Sequence, residues 1–145
     1  MRVLFLDFDG VLSRAGTEDE QVQYFVWLPL LAQLLAPWPD VFVAVHSTWR
    51  YTHTPAELRD LLGPLGERFI GCVPRGQRAE SIRWFVHANP RIHSYLVLDD
   101  APGEFPSDMG ERLVVCQPHV DVSDPEVQAR ISAWLATPQP SVAAK

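Results

Sequence analysis

Short, uninterrupted apolar runs recur along the chain, and each ends in polar residues. Val3-Leu4-Phe5-Leu6, Val41-Phe42-Val43-Ala44-Val45 and Tyr95-Leu96-Val97-Leu98 are the clearest. A continuous run of this length is what a strand buried on both faces needs. Phe69-Ile70-Gly71-Cys72-Val73 and Leu113-Val114-Val115-Cys116 are shorter versions of the same pattern. Helical periodicity fills the intervals. Residues 22–35 place Val22, Phe25, Val26, Leu30 and Leu34 roughly on one face, and Pro29 predicts a kink or split there. Thr54-Pro55-Ala56-Glu57 is a start signal: a hydroxyl cap, proline in first position and glutamate third. The helix it opens ends by Gly63-Pro64. Residues 80–87, with Ile82, Phe85 and Val86, form another helix. Ser123-Asp124-Pro125-Glu126 opens the last one, which turns Val127, Ile131, Trp134 and Leu135 inward and stops at Pro138. Five buried strands separated by helices predict an α/β fold, a mostly parallel sheet covered on both faces.

Composition narrows this picture. The chain has 145 residues, 47% of them hydrophobic, enough for one compact domain with a real core. Lysine and arginine number 12 against 18 aspartates and glutamates, a net charge of −6 that excludes a strongly basic wrapper of nucleic acid while leaving room for a local basic patch. Cys72 and Cys116 lie in or beside apolar runs and are expected as buried free thiols. Asp7 and Asp9 interrupt the apolar start before a secretory core forms, and no run approaches a membrane span, so a cytoplasmic, soluble protein is expected. Residues 1–136 are expected as a single domain and 137–145, rich in proline, alanine and serine, as a flexible tail. The polar segment 13–21 leaves the sheet directly after the first acids and reads as a short flap.

The chemistry gathers just past the apolar runs, where open parallel sheets bind their ligands. Asp7 and Asp9 follow the first; His46, Ser47, Thr48, Trp49 and Arg50 follow the second; Arg75 and Arg78 follow Val73; Asp99 and Asp100 follow the fourth. Four carboxylates converging from two strands repel one another unless a cation joins them, and hard oxygen donors favour Mg²⁺ over zinc. The remaining histidines form no metal constellation. His46 should point away from Ser47 and reads as a packed histidine. Trp49 sits at the rim, where a stacking contact and ordinary packing are both open. Arg50 is a candidate for phosphate or sugar contact and equally for a salt bridge. Trp27, Trp38, Trp84 and Trp134 look structural.

Leu6-Asp7-Phe8-Asp9-Gly10-Val11-Leu12 resembles the first motif of the haloacid dehalogenase-like (HAD) phosphohydrolase superfamily. Ser47 resembles its second motif and Leu98-Asp99-Asp100 its fourth. The third is usually a lysine, less often an arginine; the one lysine here is Lys145, so Arg78 fits the place and Arg75 is its rival. The order Ser47-Thr48-Trp49-Arg50 is further similar to small HAD domains associated with RNA-repair proteins. The resemblance implies a three-layer Rossmann-like core with minimal or no cap. It implies Mg²⁺-dependent phosphomonoester hydrolysis through an aspartyl-phosphate, with Asp7 as nucleophile and Asp9 as acid and base. Ser47, Thr48 and Arg78 would bind phosphate, and Asp7, Asp9, Asp99 and Asp100 would hold the metal. An uncapped site admits a bulky phosphorylated end, so an RNA or DNA end or a nucleotide is the expected substrate. Two alternatives are weighed against this. A response-regulator receiver needs its acids in another order, whereas a catalytically inactive HAD-like binding or scaffold domain is kept open by the missing lysine.

Overall fold

The computed structural model describes residues 1–7, 28–99, 102–116 and 124–137. Five strands form one sheet: β1 (Arg2–Leu6), β2 (Val41–Val45), β3 (Phe69–Cys72), β4 (Ser94–Asp99) and β5 (Leu113–Val115), in the order β3-β2-β1-β4-β5. Every pairing is parallel. The helices are α1 (Leu28–Leu35), α2 (Pro55–Leu61), α3 (Arg78–Ala88) and α4 (Pro125–Ala136). This is a Rossmann-like α/β core: the alternation of runs predicts its parallel sheet covered on both faces, and its HAD-type form is what the motif resemblance implies.

Side-chain parity sorts the core into two layers, because successive residues of a strand face opposite sides of the sheet. Leu4, Leu6, Val43, Val45, Leu96 and Leu98 pack with α1, α2 and α4 on one face. Val3, Phe5, Ala44 and Val97 pack on the other against Ala79, Ile82 and Phe85 of α3 and Met109. Phe5 sits at the centre of that second layer, edge-on to Phe85 and Tyr95, with ring centroids 5.7 Å from each. Strand register slips between Val43 and Ala44, and Gly71, at φ +139°, supplies the backbone that this bulge in β3 requires.

Local signals act where the sequence puts them. Thr54 and Glu57 complete a reciprocal capping box at the start of α2. Asp124 accepts from the amides of Glu126 and Val127 at the start of α4. Pro29 is the second residue of the described helix α1, a first-turn position that loses no internal hydrogen bond; residues 22–27 lie outside the described residues, as do 13–21 and 138–145. Helix α3 starts two residues earlier than its periodicity predicts, which brings Arg78 into its first turn.

Other expectations are corrected. Trp84 is on a helix face, as expected, but stands 60% exposed on the outer side of α3 and does not pack there as a structural residue would. Cys116 is buried, but Cys72 is only half-buried at the end of β3. Short 3-10 turns at Thr48–Tyr51, Gly63–Arg68, Pro102–Glu104 and Ser107–Arg112 carry no apolar period long enough to betray them. Among the described residues no helix is long and apolar enough to cross a membrane.

Candidate active site

Register and parity together build the site. Leu6 of β1 is level with Val45 of β2 and Leu98 of β4. The next residues, Asp7, His46 and Asp99, therefore stand level on three adjacent strands. Each continues the parity of Phe5, Ala44 and Val97, so all three face α3. All three are buried: Asp7 is 3% exposed, His46 and Asp99 not at all.

Arg78 meets them from the first turn of α3. A single nitrogen, Nη1, donates to Asp7 Oδ2 at 3.2 Å and to Asp99 Oδ1 and Oδ2 at 2.9 and 2.7 Å. Burial works against the guanidinium's charge, but Asp7 and Asp99 outweigh it and raise its pKa further. It stays charged at any working pH. Two acids from β1 and β4 thus share one cation delivered by a third, separate segment.

His46 adds a contact that the sequence reading did not assign. Its Nε2 lies 2.7 Å from Asp99 Oδ2, while Phe105 packs edge-on against the ring at 6.3 Å. Burial lowers the histidine pKa, and the positive charges of Arg78 and Arg50 add to the effect against the opposing pull of Asp99. The ring is therefore neutral. Facing a carboxylate, its Nε2–H donates, which leaves Nδ1 as a buried acceptor with no hydrogen-bond partner. The other tautomer would set the Nε2 lone pair against a carboxylate oxygen and leave the Nδ1–H without a partner, so the Nε2–H form is the one that fits. The histidine is packed, as expected, but it also orients Asp99. Its one-residue offset past a five-residue run, identical to that of Asp7, was the available signal.

Ser47 is buried in extended backbone, and its Oγ accepts from the amide of Trp49, capping the turn Thr48–Tyr51. An oxygen that accepts through a lone pair keeps its own O–H to donate. Arg50 is buried and spends its guanidinium on backbone: Nη1 on the carbonyls of His46 and Ser47, Nη2 on those of Pro74 and Gly76 and on the Tyr51 hydroxyl. It ties the end of β2 to the β3–α3 loop, and among the described residues it makes no salt bridge. Trp49 is half-buried, stacked on His53 with centroids 5.0 Å apart, and packed on the core beneath. Arg75 lies exposed at the lip with its guanidinium over the Tyr51 ring, away from the place Arg78 takes.

Asp9 and Asp100 lie outside the described residues, and so does the side chain of Thr48. Among the described residues no group of three or more His, Cys, Asp and Glu is arranged to hold a metal ion. The donors that are described suit a hard divalent cation: buried carboxylate oxygens, converging on a position of positive charge, with no thiolate among them.

A family model described as the HAD domain in Swiss Army Knife RNA repair proteins matches residues 3–127, from the second residue of β1 through the other four strands to the start of α4. No curated protein and no solved structure gives a match to the chain.

Proposed function

The chain belongs to the family of HAD domains found in Swiss Army Knife RNA repair proteins, and from that premise we propose that it hydrolyses phosphomonoesters at the carboxyl edge of its sheet. The observation that carries this reading is the Arg78 guanidinium joining Asp7 to Asp99. Such a cluster holds a nucleophile, a phosphoryl-binding cation and a metal-ligating acid within one hydrogen-bonded group.

In this reading Asp7 attacks phosphorus and carries the phosphoryl group as an aspartyl-phosphate. Asp9 gives a proton to the departing oxygen and then takes one from the water that frees Asp7. Ser47 donates its O–H to a phosphoryl oxygen, with the Thr48 amide beside it. Arg78 turns its remaining N–H donors to the phosphoryl oxygens and holds their charge through both steps. Mg²⁺, held by Asp7, Asp9, Asp99 and Asp100, would cancel carboxylate repulsion and polarise the phosphoryl group. His46 keeps Asp99 aimed. The substrate proposed is a phosphorylated RNA or DNA end, or a nucleotide, since the connections between the strands are too short to carry a large cap.

Phosphate release from 5′- and 3′-phosphorylated oligonucleotides, nucleotides and p-nitrophenyl phosphate, with Mg²⁺ and with EDTA, tests the reading. Release that needs Mg²⁺ and vanishes in Asp7→Asn supports it. A specific observation also favours a second reading, an inactive binding domain: arginine stands where lysine is usual, and it already bridges the two acids. Tight binding of the same phosphorylated ends with no release by the wild-type chain would favour that one.

A further inference from the structure

The lip of the site on its β3 side is built from residues that the phosphoryl chemistry does not use. The loop from Val73 to Gln77 leaves β3, carries Arg75 outward, and delivers Arg78 inward three residues later. Gly76, at φ +136°, makes that change of direction possible, and a side chain there would press on Ser81 Oγ. The loop is anchored. Arg50 donates to the carbonyls of Pro74 and Gly76, and the Tyr51 hydroxyl accepts from the amide of Gly76. Tyr51 is 36% exposed and has guanidinium carbons of both Arg50 and Arg75 over its ring, at 4.5 and 4.8 Å. Arg50 is buried and committed. Arg75 is exposed, makes no ion pair among the described residues, and has only a long 3.5 Å bond to the Tyr51 carbonyl.

An exposed guanidinium held over an aromatic ring at the mouth of a phosphate site is a ready anion contact, positioned by the ring beneath it. We propose that Arg75, held over Tyr51, forms a second subsite that takes the next backbone phosphate of a nucleic-acid strand whose terminal phosphate lies at Asp7. The inference rests on the hydrolytic site proposed above and adds the requirement for a polynucleotide. Strand order supports the spacing. β2 separates β3 from β1, and at about 4.8 Å per neighbour the two strand ends stand roughly 10 Å apart, within reach of a short stretch of extended strand. A phosphopeptide offers one phosphate and no regular second anion, so it fits this pair of cations less well. The net charge of −6 makes the contact local: affinity must come from few cations, and among the described residues Arg75 stands exposed at the lip.

The test uses the full chain carrying Asp7→Asn, with and without Arg75→Ala or Arg75→Lys. Fluorescence anisotropy of a labelled oligonucleotide bearing a terminal phosphate is followed across a salt series. Arg75→Ala should weaken binding about tenfold and flatten the slope of log K against log salt by about 0.7, the loss of one single-strand phosphate contact. Arg75→Lys should keep most of the slope. Mononucleotide binding, read by competition, should lose much less than oligonucleotide binding. The inference is overturned if Arg75→Ala leaves oligonucleotide affinity and slope unchanged. It is equally overturned if a mononucleotide or a phosphopeptide loses as much as the oligonucleotide, or if no oligonucleotide binds. A wild-type chain that binds oligonucleotides through Arg75 yet releases no phosphate would sink the hydrolytic reading and leave the subsite standing.

Discussion

A buried or partly buried arginine stands at each edge of the sheet, and the two are used in opposite ways. At the amino edge Arg2, 2% exposed, is saturated. Its Nε and Nη2 donate to the two oxygens of Asp40 at 2.8 and 3.1 Å, and its Nη1 donates to the carbonyls of Leu135 and Trp134 at the end of α4. The rings of Trp38 and Trp134 pack at 5.1 and 5.5 Å from it. These partners are an acid, two helix-end carbonyls that need a donor, and two aromatic faces. At the carboxyl edge a single nitrogen of Arg78 is divided between two acids, and one of those is also bonded to His46. A cation with all its partners in place fastens a structure. A cation shared by buried acids keeps charge together, and in the proposed function a substrate exchanges for it, so that one sheet would be stable at one edge and reactive at the other.

The largest expected effect breaks the reactive edge alone. Asp7→Asn should lower phosphate release by at least about a thousand-fold, while the melting temperature stays near wild type. Loss of fold along with activity would deny the division of labour. Next, Arg78→Ala should cost about a hundredfold or more in release. It should also make stability depend on metal: with no guanidinium between Asp7 and Asp99, the gap in melting temperature between Mg²⁺ and EDTA should exceed that of the wild type, as calorimetry would show. An equal gap would mean that the two cations do not share a place. Arg2→Met should do the reverse. It strands two carbonyls at the end of α4 and should cost about 3 kcal/mol in denaturant unfolding, with turnover per folded molecule retained. The smallest effect is in pH. The Arg2 hydrogen bond holds Asp40 below its ordinary 3.8. The folded form therefore binds its proton less readily than the unfolded chain, and this contribution, present above pH 4, is lost as pH falls through the folded value. Asp40 is 41% exposed, so the loss is modest, and Asp40→Asn should flatten that acid limb.

The sheet was readable because parallel strands buried on both faces must be apolar throughout, and the runs ending at Leu6, Val45 and Leu98 left no other reading. Asp7 and Asp99, past the runs ending at Leu6 and Leu98, were readable as well, since a buried apolar run that stops in a carboxylate is unusual. Less could be read where one residue does a job that depends on register. That Asp7, His46 and Asp99 share a level and a face follows from pairing, which no single run states. Arg50 looked like a ligand contact because arginine after a serine turn is common to both roles; only the carbonyls of Pro74 and Gly76, distant in sequence, decide what its guanidinium does. The exposure of Trp84 was unreadable for a simpler reason. The residue lies on a helix with apolar neighbours, yet between Arg83 and Phe85 the rotation of α3 turns it outward.

The central claim is that an acid at the carboxyl edge forms a covalent bond to phosphorus, and trapping that bond tests it most directly. The wild-type chain, turning over a phosphorylated oligonucleotide with Mg²⁺, would be quenched in acid within milliseconds and its peptides weighed. The account predicts one phosphoryl group on the peptide that contains Asp7, absent in EDTA and in Asp7→Asn. Steady release of phosphate with no modified peptide, or with the group on another residue, would contradict it.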